Sequence, residues 1–331
     1  MRKNATRVGL VLVLALGAGI LLWQLIPDST RRNPIRITMH LWPGYAHIYI
    51  AQEKGFFKEE GIEVELNLIE GVDDNIKHFR EGTADAAFGL QSEAMLLAAQ
   101  GVPTRIVYIV DFSNGGDVII SKLNIRTVSA LKGKRVSVDK LNGFNHIFLV
   151  ELLRLNGLSE TDVTVVPLLA SKVPEALDEG RIDAGQTWEP YQSQAIAKGY
   201  RLLASTRDAP GIVTDVLMFR SEFVEKRPED IRKIVKCLFR ALRFRARNEN
   251  EAYAIMSKAY NIPPGSLKRT IQGNIFPDLD ANIRAFEKTE EPTSLYWSGR
   301  IISDFFLKKG VIEKPVDLGN LHAPEIVRGL K

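Results

Sequence analysis

The hexapeptide EGTADA at residues 81–86 recurs as EGRIDA at residues 179–184. A second pair, GYAHIY at residues 44–49 and GFNHIF at residues 143–148, repeats at almost the same spacing, with offsets of 98 and 99 residues. Both pairs lie between a strand-like and a helix-like segment, so the spacing predicts a duplicated structural unit. Turn residues that unrelated loop–helix junctions have in common are the alternative explanation.

Around these motifs, short apolar segments alternate with helix-like segments ended by glycine. Strands are predicted at Ile35–His40, Glu63–Leu68, Ala84–Phe88, Thr104–Val110, Lys134–Val138, Thr164–Pro167 and Ile182–Gly185. This alternation predicts an α/β fold with largely parallel sheets. Two such units make two lobes with a ligand cleft between them. Residues 212–331 are predicted to be mostly helical after a strand at Val213–Phe219, and to complete the first lobe.

The composition excludes several classes of protein. The chain has 331 residues, of which 45% are hydrophobic and 25% charged, so it is not intrinsically disordered. The net charge of +4 and the lack of long basic runs argue against a nucleic-acid partner. A single cysteine excludes both an intramolecular disulfide framework and a cysteine-based zinc site.

The amino-terminal segment carries its own prediction. Residues 8–27 read VGLVLVLALGAGILLWQLIP without a charge, follow three basic residues, and are long enough to span a bilayer. They are either an uncleaved membrane anchor or a cleaved secretory signal, and the long apolar stretch without a good cleavage site favours the anchor. In either case residues 1–34 form an anchor or signal with its linker, and the rest of the chain is exported.

Several segments, taken in order, resemble solute-binding proteins of the nitrate/sulfonate/taurine type that serve ABC importers. They are LWPGYAHIYIAQEKGFFKEEGIEVEL at 41–66, EGTADAAFGLQSEAMLLAAQGVPTRIV at 81–107, TWEPYQSQA at 187–195 and DVLMFRSEFVEKRPEDI at 215–231. The resemblance implies a type II periplasmic-binding fold that closes on a ligand. Lobe one would comprise residues 35–117 with 213–331, lobe two residues 118–212, and the hinge would lie near 111–117 and 209–215. An ABC transporter permease in the inner membrane would be the partner.

The same superfamily includes proteins that bind thiamine-pyrimidine precursors and synthases that carry a cysteine-rich motif. This chain has only Cys237, in an apolar helix-like stretch, which argues against the synthase activity.

Candidate ligand-binding residues in lobe one lie where predicted strands end. Trp42 and Tyr45 flank a Pro-Gly loop, and Gly44 allows a close approach of the backbone. Gln91 and Ser92 begin the helix after the third strand, where they could donate to an oxyanion; capping that helix is the structural alternative for Ser92.

Lobe two offers equivalent positions, and the hinge adds two acids. The lobe-two candidates are Asn145, His146, Thr187, Trp188 and Glu189. Trp188 and Glu189 place an aromatic ring beside a carboxylate, although an acid in a first helical turn also suits the helix dipole. Asp117 and Asp215 would edge the cleft if the hinge lies where the resemblance implies; charges at ordinary strand ends are the alternative.

Aromatic rings together with acids favour a ligand with a cationic nitrogen, through ion pairing and cation–π contact. None of these loops carries the Arg or Lys that an inorganic anion requires, while a taurine-like zwitterion or sulfonate-type solute stays compatible. We therefore expect a binding protein rather than an enzyme, without cofactor or metal. A membrane-anchored ligand sensor or adaptor, and a pyrimidine-precursor enzyme, are the alternatives.

Overall fold

Eleven strands in the part of the chain that the computed structural model describes, residues 33–331, form two sheets. In chain order the strands are β1 (Ile35–His40), β2 (Val64–Ile69), β3 (Ala86–Leu90), β4 (Thr104–Ser113), β5 (Val118–Ser121), β6 (Arg135–Val138), β7 (Thr164–Pro167), β8 (Ala184–Thr187), β9 (Arg201–Ser205), β10 (Thr214–Arg220) and β11 (Asn274–Ile275). The predicted membrane segment, residues 8–27, lies outside the described residues and stays a prediction.

The two sheets have the same order of strands. Lobe one is ordered β2-β1-β3-β10-β4-β11 and lobe two β7-β6-β8-β5-β9. In each lobe the first three strands pair in parallel, and the fourth pairs antiparallel with both of its neighbours. The topology therefore repeats as the sequence repeat predicts, and the α/β prediction is confirmed.

The prediction of largely parallel sheets is confirmed for three strands of each sheet and wrong for the strands that follow the crossing segments. Strands β5 and β10 follow the two segments that cross between the lobes, at residues 114–117 and 206–213. Each enters its new sheet from the cleft end and so runs against the neighbouring strands. Both sheets are consequently mixed, and the crossing strands bring their first residues to the floor of the cleft.

An ion pair between a half-exposed arginine and a largely buried aspartate recurs in both lobes and accounts for the EGxxDA repeat. The backbone N–H and guanidinium of Arg36 donate to Asp85 and its Nη2 donates to Gly82 O, at distances of 2.6–3.3 Å. Arg135 makes the same four bonds to Asp183 and Gly180 O, at 2.7–3.2 Å. Each arginine ties the start of its strand, β1 or β6, to the turn before the parallel neighbour in the sheet, β3 or β8. The bidentate pairing fixes the geometry and also stabilises the contact.

Fifteen α-helices cover the sheets within residues 33–331. They are α1 (His47–Glu53), α2 (Phe56–Glu59), α3 (Val72–Glu81), α4 (Gln91–Ala99), α5 (Phe144–Leu155), α6 (Val173–Asp178), α7 (Tyr191–Ala197), α8 (Ser221–Lys226), α9 (Pro228–Arg247), α10 (Glu249–Tyr260), α11 (Pro264–Gln272), α12 (Leu279–Ala285), α13 (Leu295–Lys308), α14 (Leu318–Leu321) and α15 (Pro324–Arg328). The helical segment after β1 is divided into a 3-10 turn, α1 and α2, and Gly55, with φ +72°, separates α1 from α2.

Helix α13, from the last third of the chain, completes lobe one by packing on α4. Gln91 joins the two helices: its Nε2 donates to Leu295 O and its Oε1 accepts from Ser298 Oγ, both at 2.7 Å. Residues 35–331 form one compact unit.

Within residues 33–331, none of the helices combines the length and the apolar character needed to cross a bilayer.

Candidate functional site

Two aspartates face each other across neighbouring strands at the floor of the cleft. Asp215 in β10 is the register partner of Asp111 in β4, and both side chains are buried. The hydroxyl of Tyr45 donates to Asp215 Oδ1, and Trp42 Nε1 donates to Asp111 Oδ2 at 3.4 Å. The first loop of lobe one thus brings one neutral donor to each carboxylate.

Gly44 permits that arrangement. A Cβ at Gly44 would overlap both Asp111 Oδ2 and Trp42 Nε1. The turn begins at Pro43, whose fixed φ suits a first helical position, and Tyr45 follows with its ring fully buried. The Trp-Pro-Gly-Tyr sequence therefore shapes a loop that lies directly on the acids.

A third aspartate, Asp117, takes the same place in lobe two that Asp215 takes in lobe one. The residues after them, Val118 and Val216, pair with Thr187 and Gly89, which are 98 residues apart, as are the two aspartates. Asp117 accepts from Ser113 Oγ at 2.8 Å and from Gln186 Nε2 at 3.1 Å. Uncharged donors therefore satisfy this acid.

Burial favours the protonated form of every acid at this floor. Burial raises the pKa of Asp117 to about 6 and the pKa of Glu93, on α4, to about 7. The pKa values of Asp111 and Asp215 are raised, first by burial and then by neighbouring carboxylates; for Asp215 the larger of these charges is that of Asp111. Within residues 33–331 none of these four carboxylates forms an ion pair.

Two polar atoms at the floor have no partner within the described residues. They are Asp111 Oδ1 and Gln186 Oε1, and both side chains are fully buried. Both atoms are acceptors. A ligand that brings hydrogen-bond donors would satisfy them, and a buried acceptor without a donor costs free energy.

A cavity of about 430 Å³ lies between the lobes beside this floor. Glu93, Ser92 and Leu90 line it from lobe one, and Phe144 and Asn145 line it from lobe two. Leu90 is also the register partner of Asp215, which places the end of the cavity next to the acids. The volume falls in the range of small-molecule sites.

An ion pair between the lobes lies at the edge of the cavity. Lys140 Nζ lies 2.5 Å from Asp73 Oδ1, and both side chains line the cavity while remaining largely exposed. Lys140 lies in the loop between β6 and α5, so the expectation that the cleft loops carry no Arg or Lys was wrong. Asp73 compensates the charge of Lys140, and a second cation, Arg80, also lines the cavity together with Asp74 and Asp139.

Four more of the predicted residues, Gln91, Ser92, Asn145 and Thr187, fall into two groups: two line the cavity and two are paired within the core. Ser92 and Asn145 line the cavity. Gln91 has both polar ends paired to α13, and Thr187 Oγ1 donates to Ala170 O at 3.0 Å. In this conformation Gln91 and Thr187 therefore hold the fold behind the site rather than face a ligand.

His146 lies in a contact between the lobes. Its Nδ1 accepts from Asn142 N–H at 3.1 Å, so Nε2 carries the proton and donates to Glu160 Oε1 at 3.0 Å. Lys309 of lobe one reaches the same oxygen at 2.5 Å, and the ring of Phe305 lies 5.2 Å from the His146 ring. Both ring nitrogens of His146 are thus engaged.

Trp188 and Glu189, expected side by side at the cleft mouth, lie in different surroundings. The Trp188 ring lies 6.3 Å from the ring of Phe144, which lines the cavity, while Trp188 itself is not among the lining residues. Glu189 accepts from Ser193 and lines a separate cavity of about 160 Å³ that also contains Arg207 and Arg269.

Sequence reasoning missed Asp111, Glu93 and Gln186. A carboxylate within the apolar strand TRIVYIVDFS was a signal for Asp111, because such a residue is rarely buried without a role. Nothing in the sequence indicates that β4 pairs with β10, so the proximity of Asp111 to Asp215 was not predictable.

Two observations bear on other chemistries. Within residues 33–331, no group of three or more His, Cys, Asp and Glu side chains is arranged to hold a metal ion. Cys237 is buried in α9, where burial raises the pKa of its thiol to about 12, so it is not a nucleophile at neutral pH.

Solved structures share this fold. The periplasmic aliphatic sulphonate binding protein of Escherichia coli superposes with a TM-score of 0.72 at 17% identity, covering 88% of this chain and 92% of that one. At this identity the likeness shows the fold alone, and it supports the periplasmic-binding fold that the sequence implied.

Curated relatives are more similar in sequence over shorter spans. A putative thiamine biosynthesis protein of Haemophilus influenzae is 31% identical over 153 residues, which are 45% of this chain and 48% of the relative. A 4-amino-5-hydroxymethyl-2-methylpyrimidine phosphate synthase of Aspergillus parasiticus is 27% identical over 229 residues, 64% of this chain and 66% of the relative. The chain thus spans about half to two thirds of the length of these relatives.

The family model described as NMT1/THI5 like matches residues 42–252. This range begins at Trp42 and includes Tyr45, Glu93, both crossing segments and all three aspartates of the floor. Since the match covers well over half of the chain, the protein belongs to the NMT1/THI5-like family.

Proposed function

We propose that this protein is an extracytoplasmic solute-binding protein that captures a small nitrogen-containing organic molecule by lobe closure and delivers it to an ABC importer. The observation that carries the proposal is the cavity between the lobes, which is lined by Glu93 and by Leu90, the register partner of the buried Asp215. The periplasmic-binding fold supports it, and so does the family membership.

The character of the site selects the class of solute. Buried carboxylates and the unpaired acceptors Asp111 Oδ1 and Gln186 Oε1 attract a cation or a group rich in N–H donors, while Phe144 offers a ring face to its apolar part. At the acidic floor a sulphonate, which is in the printed name of the E. coli protein, would meet buried carboxylates. An aminopyrimidine of the kind in the synthase's name fits both the size and the chemistry of the cavity.

Lobe closure provides the mechanism. The ion pairs Lys140–Asp73 and Lys309–Glu160 both cross from one lobe to the other, at 2.5 Å each. A ligand that contacts both lobes binds the closed form better than the open form and shifts the population towards it. A transporter permease would then recognise the closed protein.

The proposed location follows from the same role. We infer that residues 35–331 lie in the periplasm or at the cell exterior, with residues 8–27 as the tether to the cytoplasmic membrane. Protease protection of spheroplasts tests this location, because an exported protein is degraded while a cytoplasmic marker survives.

The test of the binding function is a thermal-shift screen of the purified protein. The panel contains aminopyrimidines, amines, amidines, taurine, alkanesulfonates and nitrate. A cationic or aminopyrimidine compound far above its dissociation constant raises the melting temperature by several degrees, because it binds only the folded state. A shift with sulfonates or nitrate alone would refute the proposed ligand class.

An enzyme on this fold is the second candidate, because the relative from Aspergillus parasiticus is named as a synthase. The buried thiol of Cys237 and the absence of a second cysteine argue against it. Mass spectrometry of each stabilising compound after prolonged incubation distinguishes the two, since a binding protein returns the compound unchanged. Recovery of the unchanged compound is also expected for an anchored sensor or adaptor. A sensor would act in the cell without a permease, whereas a binding protein for an importer would not.

A further inference from the structure

The facing aspartates of lobe one differ from an ordinary pair of strand residues. Asp111 and Asp215 are direct register partners in antiparallel strands, which sets their Cβ atoms about 5 Å apart. Both are buried, and neither forms an ion pair within the described residues. Two unpaired carboxylates this close, away from water, are not both ionised.

The groups around the pair neutralise only part of this charge. Facing it are Trp42 and Tyr45 from the first loop, Glu93 from α4, Asp117 from β5, Tyr108 from β4 and Arg245 from α9. Arg245 is the one cation near Asp111 in this group, and its Nη1 has no partner within the described residues. Glu93 and Asp117 add two more carboxyl groups, so acids outnumber cations in this group.

Each aspartate has one donor, and one acceptor is left over. Tyr45 donates to Asp215, Trp42 donates to Asp111, and Asp111 Oδ1 has no donor within residues 33–331. A proton on Asp215 removes the repulsion but leaves that oxygen without a partner. A cation with N–H donors would satisfy the oxygen and supply the missing charge together.

We infer that Asp111 and Asp215 share one proton in the ligand-free protein, and that a cationic N–H donor displaces this proton when it binds. The inference rests on the proposed binding function and narrows its ligand class to organic monocations. The step balances: the ligand brings one positive charge, and the shared proton leaves to the buffer. The pair becomes a dianion held by the ligand, Tyr45 and Trp42.

The first test needs no ligand. Infrared spectra of the full chain, labelled with ¹³C at the aspartate carboxyls, are recorded across a pH titration. We expect a protonated carboxyl band at pH 7, because burial and the Asp111 charge raise the pKa of Asp215. In Asp111→Asn the band titrates at least one pH unit lower, since the like charge is gone.

Asp117→Asn is the matched control for this measurement. Asp117 holds the equivalent position in lobe two but is paired with the neutral Ser113 and Gln186. Its removal should move the band far less than Asp111→Asn does. No protonated band at pH 7, or equal shifts in the two variants, overturns the shared proton.

The second test counts protons. Acetamidine and benzamidine, which stay cationic at pH 7, are titrated calorimetrically in two buffers of different ionisation enthalpy. We expect close to one proton released per amidine bound, and none with neutral benzamide. Binding without proton release overturns the displacement, and failure of both amidines to bind overturns the monocation class.

The two tests separate this inference from the proposed function. If the thermal-shift screen finds a ligand but the ligand-free band is absent, the binding function stands and the shared proton falls. If no compound binds while the band behaves as expected, the proposed function fails and the paired aspartates are a feature of the fold.

Discussion

Asp215 and Asp117 occupy equivalent positions in the two lobes, and their neighbours are opposite in character. Each precedes the valine that pairs with the third strand of its sheet. Asp215 faces a second carboxylate, Asp111, on the neighbouring strand. The residue next to Asp117 is Thr206, whose backbone N–H donates to the backbone oxygen of Asp117 at 3.0 Å. The duplicated scaffold thus carries an acidic pair in lobe one and a single, neutrally satisfied acid in lobe two.

The difference shows which parts of a duplicated fold stay alike and which diverge. The arginine–aspartate pairs Arg36–Asp85 and Arg135–Asp183 keep the same bonds in both lobes, because they hold the strands in register. The residues at the cleft ends of the strands carry no such constraint. Differences in chemistry therefore concentrate there, and in lobe one they form the cation site that we propose.

The largest effect should come from breaking the pair in lobe one. Asp215→Asn removes the carboxylate that Tyr45 and the ligand share, and we expect about a 100-fold loss of affinity for a cationic ligand, about 2.7 kcal/mol. Asp117→Asn should cost only about tenfold. Isothermal titration of both variants measures the difference, with circular dichroism to verify folding. Equal losses would show that the lobes do not differ as described.

The pH dependence of stability should separate the same two sites. An acid whose pKa is raised in the folded state stabilises the protein at low pH and loses that contribution as the pH rises through the folded value. Burial raises the pKa of Asp117 to about 6, and the pKa values of Asp111 and Asp215 are also raised. The pH range over which stability is lost therefore extends above pH 6.

We therefore expect urea stability to fall between about pH 4 and 6 by up to about 1.4 kcal/mol per pH unit for each such group. Asp117→Asn should flatten this lower part of the curve, and Asp111→Asn the part above pH 6. Urea titrations at intervals of half a pH unit give the slopes. A wild-type stability that rises over this range would contradict the raised pKa values.

Removing the Tyr45 hydroxyl tests the donor side of the lobe-one pair. Tyr45→Phe deletes the bond to Asp215 while keeping the buried ring, so we expect about a tenfold loss of affinity, about 1.4 kcal/mol. Tyr49→Phe on the neighbouring helix α1 is the control, because it removes a hydroxyl away from the acids. Calorimetry that shows no difference between the two variants would remove Tyr45 from the site.

The smallest effect should come from a contact between the lobes that does not touch the cavity. Lys309→Met removes the ion pair between Lys309 and Glu160, two side chains that are each 27% exposed. A partly exposed pair contributes up to about 1 kcal/mol, so affinity should fall about threefold by favouring the open form. Small-angle scattering of the ligand-free variant should show a larger radius of gyration than wild type. An unchanged radius together with unchanged affinity would remove this contact from the closure mechanism.

The sequence predicted the scaffold better than the site. Local repeats around Gly44 and Gly143 were enough to predict two lobes of equal topology, because the loop and helix that each motif encodes recur with the strands. Asp117 and Asp215 were predicted at the hinge by resemblance, and the structure brings both to one floor with Tyr45 and Trp42.

What the sequence did not predict depends on contacts between distant segments. The pairing of Asp111 with Asp215 depends on the register of two strands 104 residues apart along the chain. Gln91 is paired by Leu295 and Ser298, more than 200 residues away, which no local pattern indicates. The break at Gly55 depends on one left-handed residue within a segment of otherwise helical pattern.

The central claim is that the cleft recognises positive charge, and three compounds of similar shape test it most directly. Benzamidine, benzamide and benzenesulfonate differ in charge while keeping the ring and most of the size. Titrated calorimetrically into the wild-type protein at pH 7, the amidine should bind at least tenfold more tightly than the amide, with no measurable heat from the sulfonate. Binding of the sulfonate as tight as that of the amidine would contradict the account.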